Sequence, residues 1–196
     1  MAYASVTDVK LYRGISTLTG GTGACTSDDA ILTVLVAAAQ KQIDSYCGRT
    51  FEAASTSERT FDAVADVDGR RLWLGTDLAA VSVITNGSGT AVTKYVTEPR
   101  NQAPYYAITL KASAAESWEY TDDPEGAISV VGYWAYSTAA PADIKMAATR
   151  LAAYLYAQKD SQVFETTMFP DAGVMTVPQG MPKDVQEILR PYRRLS

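Results

Sequence analysis

An α+β fold is predicted for this chain: a small helical bundle with an inserted antiparallel β region and an extended C-terminal tail. Two stretches with helical periodicity, residues 26–47 and 141–159, flank residues 50–137, where Thr, Val, Tyr and Trp dominate in short runs broken by turn chemistry. The chain then closes on PKDVQEILRPYRRLS, residues 182–196, a short helix running into basic and aromatic residues. Residues 1–49 and 138–160 are thus expected to form the helical core and 50–137 the β insertion. Residues 161–181 read as a long loop and 182–196 as the terminal helix and tail.

The elements follow in order. Thr7 and Asp8 are placed to cap a short first helix through Val9, Leu11 and Tyr12, which Gly14 ends. A loop rich in Gly and Thr spans 17–23. Thr26 and Asp29 have capping-box spacing, and Leu32, Leu35, Val36, Ala39, Ile43 and Tyr46 form one stripe that stops at Gly48. In the middle region Thr60–Val64 alternates, Arg71–Leu74 follows an Asp68-Gly69 turn, and Val81–Thr85 leads into Asn86-Gly87. Further runs cover 94–97, 106–111 and 127–136. Asp-Gly and Asn-Gly between alternating runs are strong hairpin signals, so this region reads as one antiparallel sheet of roughly five or six strands.

Pro141 opens the second long helix, with Ile144, Ala148, Leu151 and Leu155 as its stripe and Ala147, Tyr154 and Gln158 beside it. Its small residues, such as Ala152 and Ala153, permit close packing on the 26–47 helix. Residues 160–181 lack periodicity and carry Phe164, Met168, Phe169 and Met175. Such apolar anchors suit either a contact arm between subunits or a loop folded onto its own core; the residues alone leave both open. In the last segment Asp184 and Glu187 favour the positive end of a helix, and Val185, Ile188 and Leu189 share a face. Pro191 is expected to end that helix and leave Tyr192, Arg193, Arg194 and Leu195 to reach away from the domain. Tyr and Arg are enriched at interface hot spots, so the tail is composed as an anchor for a partner.

Composition excludes several functions. With no histidine the chain lacks the commonest general base and metal ligand. Cys25 and Cys47 have no CxxC spacing and suit buried thiols of a reducing compartment better than a disulfide or zinc site. A net charge of -5 argues against a basic nucleic-acid-binding surface, although four of the 17 Lys and Arg lie in the last segment. No secretory signal opens the chain, and no apolar run nears the ~20 residues of a bilayer span, so a soluble protein without membrane association is expected.

Gly20-Gly-Thr-Gly23 lacks the Lys-Ser/Thr of a phosphate loop. Asp122, Asp123 and Glu125 lack calcium-loop spacing, and no GxSxG occurs. Trp73, Trp118 and Trp134 would offer a stacking platform if exposed, but core and cross-strand packing is the simpler account. No catalytic site, metal or cofactor is expected. A carbohydrate- or ligand-binding β module is the main alternative reading, and a hydrolase working through Asp122, Asp123 and Glu125 is a second.

Four stretches in order carry a resemblance: YASVTDV at 3–9; IDSYCGRTF at 43–51; RLWLG at 71–75 leading to VSVITNG at 81–87; and the alanine-rich helix after Pro141 followed by PKDVQEILRPYRRL at 182–195. Together they resemble the head–tail connector adaptor proteins of long-tailed bacteriophages, over nearly the whole chain. The resemblance implies a homo-oligomeric ring of about twelve copies beneath the portal, in the virion after assembly in the host cytoplasm. It implies the portal protein and a stopper or tail-completion protein as partners, with DNA passing through without specific binding. It also implies that the C-terminal tail docks on the portal, a role that falls on Arg190, Tyr192, Arg193, Arg194 and Leu195.

Overall fold

A computed structural model of the chain describes residues 3–14, 26–161, 166–169, 173–176 and 180–194. The class is α+β, as the sequence predicts, and the chain divides into two compact units, residues 49–140 and residues 2–48 with 141–196.

The first unit holds seven described strands: β1 (Ser57–Phe61), β2 (Val67–Asp68), β3 (Arg71–Leu78), β4 (Ala80–Thr85), β5 (Tyr95–Glu98), β6 (Tyr105–Leu110) and β7 (Ile128–Tyr133). They form two antiparallel sheets, ordered β1-β7-β4 and β2-β3-β6-β5, where the sequence suggests one. The division arises at Ala79: β3 ends in one sheet at Leu78 and β4 begins in the other at Ala80, so consecutive strands lie in different layers. Bulges in β3, between Trp73 and Leu78, and in β4, between Val81 and Val83, bend both strands near this corner. Leu72, Leu74, Ile108 and Leu110 from one sheet and Phe61, Ile84, Ile128 and Val130 from the other share a single core.

Both turn signals mark reversals of the chain. Asp68-Gly69 makes the expected hairpin between β2 and β3, with Gly69 at φ +59°. Asn86-Gly87 opens a turn closed by the Asn86 N–H to Thr90 O and the Gly89 N–H to Asn86 O, both at 2.8 Å, with an antiparallel bridge between Thr85 and Ala91. The Asn86 side chain also clamps the connection between β6 and β7. Asn86 is 1% exposed; its Nδ2 donates to Ser117 O at 2.7 Å, and its Oδ1 accepts from the N–H groups of Gly87 and Glu119, both at 3.1 Å. A side chain at Gly87 would place Cβ 2.3 Å from Glu119 O, so glycine is required there by close approach of backbone.

Trp118 and Trp134 are buried, and their indole N–H groups donate to Arg70 O and Ser57 O, each at 2.9 Å. Packing, as expected, explains these two.

In the second unit, α1 (Val6–Tyr12) is capped by Ser5, not Thr7. Ser5 Oγ accepts from the Asp8 N–H at 3.0 Å and Asp8 Oδ2 accepts from the Ser5 N–H at 2.8 Å, a reciprocal box that puts Thr7 inside the first turn. α2 (Thr26–Cys47) ends at Gly48, φ +66°, and buries Leu32, Val36, Ala39, Ile43 and Cys47, with Leu35 and Tyr46 half-buried at the margins. The cap expected at Thr26 lies outside the described residues.

α3 (Ala142–Ser161) packs along α2 and buries Ile144, Ala147, Ala148, Leu151 and Ala152; Leu155 is half-buried and Gln158 exposed. The segment read as a long loop contains a hairpin, β8 (Thr166–Phe169) paired antiparallel with β9 (Gly173–Thr176). Among the described residues these two strands form a sheet of their own. A last helix, α4 (Lys183–Leu189), packs on α3. No helix among the described residues is long and apolar enough to cross a membrane.

Two outcomes test this account. Gly87→Ala is expected to destabilise the β unit by about 3 kcal/mol, read from denaturant unfolding, because the new methyl group meets backbone rather than a movable side chain. The second concerns Asp44 on α2, whose Oδ1 accepts from Tyr3 Oη at 2.5 Å. Burial raises its carboxyl above the ordinary 3.8, against smaller lowering effects of Tyr3 and Lys41. The native state therefore holds this proton more tightly than the unfolded chain, and the contribution to stability is lost as pH rises through the raised value. Asp44→Asn is expected to melt higher than the parent at pH 7, with the difference vanishing below about 3.8.

Candidate docking surface at the C-terminal segment

The candidate surface begins at Pro182, which caps α4 with φ -54° and ψ 143° and accepts from the Gln186 N–H at 3.0 Å. Gln186 Nε2 adds a bond to Met181 O at 2.7 Å. Val185 and Leu189 are fully buried and Ile188 half-buried, so the apolar face read from the sequence is the one that packs. Asp184 in the first turn pairs with Arg150 Nη1 at 3.1 Å.

Beyond Leu189 the winding tightens instead of stopping. Arg190–Tyr192 form a 3₁₀ turn that includes Pro191, and the backbone becomes extended only at Arg193, φ -63° and ψ 130°. Proline lacks the N–H for an α-helical bond but fits the first positions of a new turn.

The terminal segment does not reach away from the domain through Arg194, contrary to expectation. Tyr192 Oη donates to Asp143 Oδ2 at 3.1 Å, at the start of α3. The Arg193 guanidinium lies 5.2 Å from the centre of the Tyr46 ring, and the Arg194 N–H donates to Cys47 O at 2.9 Å. The physical reason is the end of α2. Its last carbonyls lack helical partners and carry the negative end of the helix dipole, so an N–H donor and two cationic residues are held there.

Tyr192, Arg193 and Arg194 are therefore brought together beside the ends of α2 and α3. Arg190 stands apart, exposed, 3.5 Å from Glu187 Oε2; a surface pair of this kind contributes little. Leu195 and Phe164 lie outside the described residues. Met168, Phe169 and Met175 fall on the β8–β9 hairpin, where Met168 pairs with Val174, Phe169 with Gly173 and Met175 with Thr167. Sequence reasoning missed Tyr46, Cys47 O and Asp143 as receivers of the tail. The available signal was the match between arginines in the last segment and a Gly-terminated helix whose final carbonyls need donors.

Other chemistries find little support in the geometry. Among the described residues no group of three His, Cys, Asp or Glu could hold a metal ion. The three tryptophans do not form one platform, since two are core. Trp73 alone is 41% exposed, stacked on Tyr106 at 6.0 Å and 16°, with the Arg71 guanidinium 5.0 Å from its ring centre.

A family model for head completion proteins matches residues 3–195, and the chain belongs to the head completion protein family. This agrees with the resemblance read from the sequence. No curated protein matches it in sequence. Among solved structures, a chain in the neck of an empty GTA particle computed with C6 symmetry is 17% identical, with TM-score 0.58, over 97% of this chain and 89% of that one. A chain in the virion of a native gene transfer agent particle is 18% identical, with TM-score 0.53, over 98% and 93%. A chain in the neck of a native GTA particle computed with C12 symmetry is 16% identical, with TM-score 0.53, over 97% and 91%. At these identities the likeness is one of fold, and it runs almost end to end.

Deleting residues 190–196 is expected to cost the helical unit about 1–2 kcal/mol, because it uncovers Cys47 O and removes the Tyr192 bond and the Arg193 contact. For a chain of this size that lowers its melting point by roughly 3–6 °C in calorimetry. An unchanged melting point would mean these contacts contribute nothing.

Proposed function

We propose that this protein is a structural component of the head–tail junction of a phage-like particle. Copies form a closed ring between the portal protein and a stopper or tail-completion protein, and the genome passes through the centre. The observation that carries the reading is its full-length character: one family model covers residues 3–195, and the fold is shared over 97% of the chain with proteins of particle necks, computed with C6 and C12 symmetry. About twelve copies would match a portal of the same symmetry. An overall acidic chain, net -5, suits a conduit that does not retain DNA.

Within that ring the C-terminal segment is the portal-docking element, through Arg190, Tyr192, Arg193, Arg194 and Leu195. Its anchoring at α2 supports the role: a segment already held at Tyr46 and Cys47 loses less freedom on binding than a loose tail would. Weak individual contacts then gain strength from many copies engaging one symmetric partner. The β8–β9 hairpin, with Phe164 just before it and Met168, Phe169 and Met175 upon it, is the proposed subunit-contact arm.

The test is native mass spectrometry and electron microscopy of the protein with its portal, where cyclic species are expected. A strict monomer that ignores the portal at high micromolar concentration would refute the reading. Replacing Arg193 and Arg194 with Ala is expected to weaken attachment more at low than at high salt, since exposed charge is screened over a Debye length of about 8 Å at physiological ionic strength.

A further inference from the structure

The charge of the chain is unevenly placed. Residues 49–140 carry 12 Asp and Glu against 7 Lys and Arg, a balance of -5, so the remaining residues are neutral as a set. Within that unit the β6–β7 connection holds Glu116, Glu119, Asp122, Asp123 and Glu125, with no Lys or Arg between residues 112 and 140. None of the five forms an ion pair among the described residues. Tyr120, 47% exposed, stands in their midst. The connection is held rigidly, by the Asn86 clamp, by the Gly87 N–H to Glu119 O at 3.2 Å, and by Thr121 Oγ1 to Gly87 O at 3.1 Å.

The helical unit holds the complement. A cleft of about 370 Å³ lies among the end of α1, the middle of α3 and the start of α4, lined by Tyr12, Arg13, Arg150, Tyr154, Pro182 and Asp184. Asp184 is taken by Arg150 at 3.1 Å. The Arg13 guanidinium is fixed by Nη1 to Ala153 O at 3.2 Å and by the Tyr156 ring at 5.1 Å, and it has no carboxylate partner among the described residues. The cleft thus keeps one uncompensated positive charge next to Tyr12, itself 51% exposed.

We propose that the acidic connection of one copy docks, Tyr120 foremost, in the Arg13–Tyr12 cleft of a neighbouring copy. Unpaired carboxylates around an exposed tyrosine meet an unpaired, pre-positioned guanidinium in an aromatic cleft. Both sides are ordered before contact, which limits the entropy lost on binding. The contact joins two different patches, so every copy gives one and receives one, the arrangement that closes rings. It rests on the ring reading above and specifies the seam between subunits.

The experiment uses full-length chains assembled with the portal protein. Cys25 is changed to Ser throughout, one chain carries Tyr120→Cys, and another carries Tyr12→Cys. On oxidation the mixture is expected to give a disulfide-linked pair within rings, and either chain alone none. In parallel, Asp122→Lys with Asp123→Lys, at exposed and unpaired positions, is expected to raise the concentration for half-assembly on the order of tenfold. Adding Arg13→Glu to that chain is expected to restore assembly. Circular dichroism melts check folding; if Arg13→Glu does not fold, Tyr12→Ala is the second cleft variant and is expected to raise the same midpoint in the parent. Rings that form with an unchanged midpoint in the Lys variant, or without the cross-link, overturn this seam and leave the ring reading standing. Absence of any cyclic species from the parent chain overturns the ring reading, and the seam with it.

Discussion

The N–H of Arg194 meets the carbonyl of Cys47 at 2.9 Å, and the arrangement of the helical unit's C-terminal part follows from that closure. A 22-residue helix leaves its last carbonyls without helical partners. Gly48 turns the chain sharply away while its own N–H returns to Asp44 O at 2.8 Å, which leaves Cys47 O open to another donor. Val185 and Leu189 bury α4, and the 3₁₀ turn then delivers Arg193 and Arg194 to the end of α2. The same residues thus complete a helix and present cationic side chains outward. Structural contacts of the Arg194 N–H, the Tyr192 hydroxyl and the Arg193 guanidinium lie in the same segment as the proposed docking duty.

The β unit solves a different problem. Its strands are shared between two sheets around one core, and buried side-chain polar contacts help to fix the long connections between them. Asn86 does this for the β6–β7 connection with two side-chain hydrogen bonds, to Ser117 and Glu119, from a nearly inaccessible position. Arg70 does similar work nearby, donating through Nε to Leu110 O at 3.3 Å and through Nη2 to Lys111 O and, at 3.2 Å, to Ala114 O. On the outer face of the second sheet, Glu98 accepts from Thr109 Oγ1 at 2.6 Å and pairs with Arg71 at 2.7 Å. The Thr109 bond, and then Arg71, hold its carboxyl below the ordinary range. Arg71 is thereby fixed over Trp73, and an otherwise flexible cation becomes part of a layered stack with Tyr106.

What could be read in the sequence was what is written locally. The stripes of α2 and α3, the Gly48 and Gly14 stops and the Asp68-Gly69 hairpin depend on neighbours within a few residues, and all are present in the structure. The division into two sheets was illegible because pairing partners such as β1 and β7 are far apart in the chain, and alternation alone does not tell which sheet a strand joins. Asn86-Gly87 illustrates the difficulty: the turn it signals is present, but its second duty, a buried clamp on Ser117 and Glu119, carries no visible mark. At α1 the spacing Ser5-x-x-Asp8 was available, but Thr7 lies close enough to compete for the same role. Pro191 reads as a barrier in the sequence, yet it sits within the 3₁₀ turn that carries the chain on to α2. The tail's composition was plain; its receiver, at the far end of α2, was not.

The insertion also fixes an order of events. Residues 49–140 are continuous and leave the ribosome before α3 exists, so the β unit has all its strands while α2 still lacks the helix it packs against. Until then Leu32, Val36, Ala39 and Ile43 are exposed to whatever else is in the cell. Only when the chain reaches Val185 and Leu189 is the helical unit's core complete, and the Arg194 N–H then closes the end of α2. A chain cut between the β unit and the end of α3 would carry a finished sheet pair beside an unsheltered apolar helix, a fragment prone to aggregate rather than a harmless shorter protein.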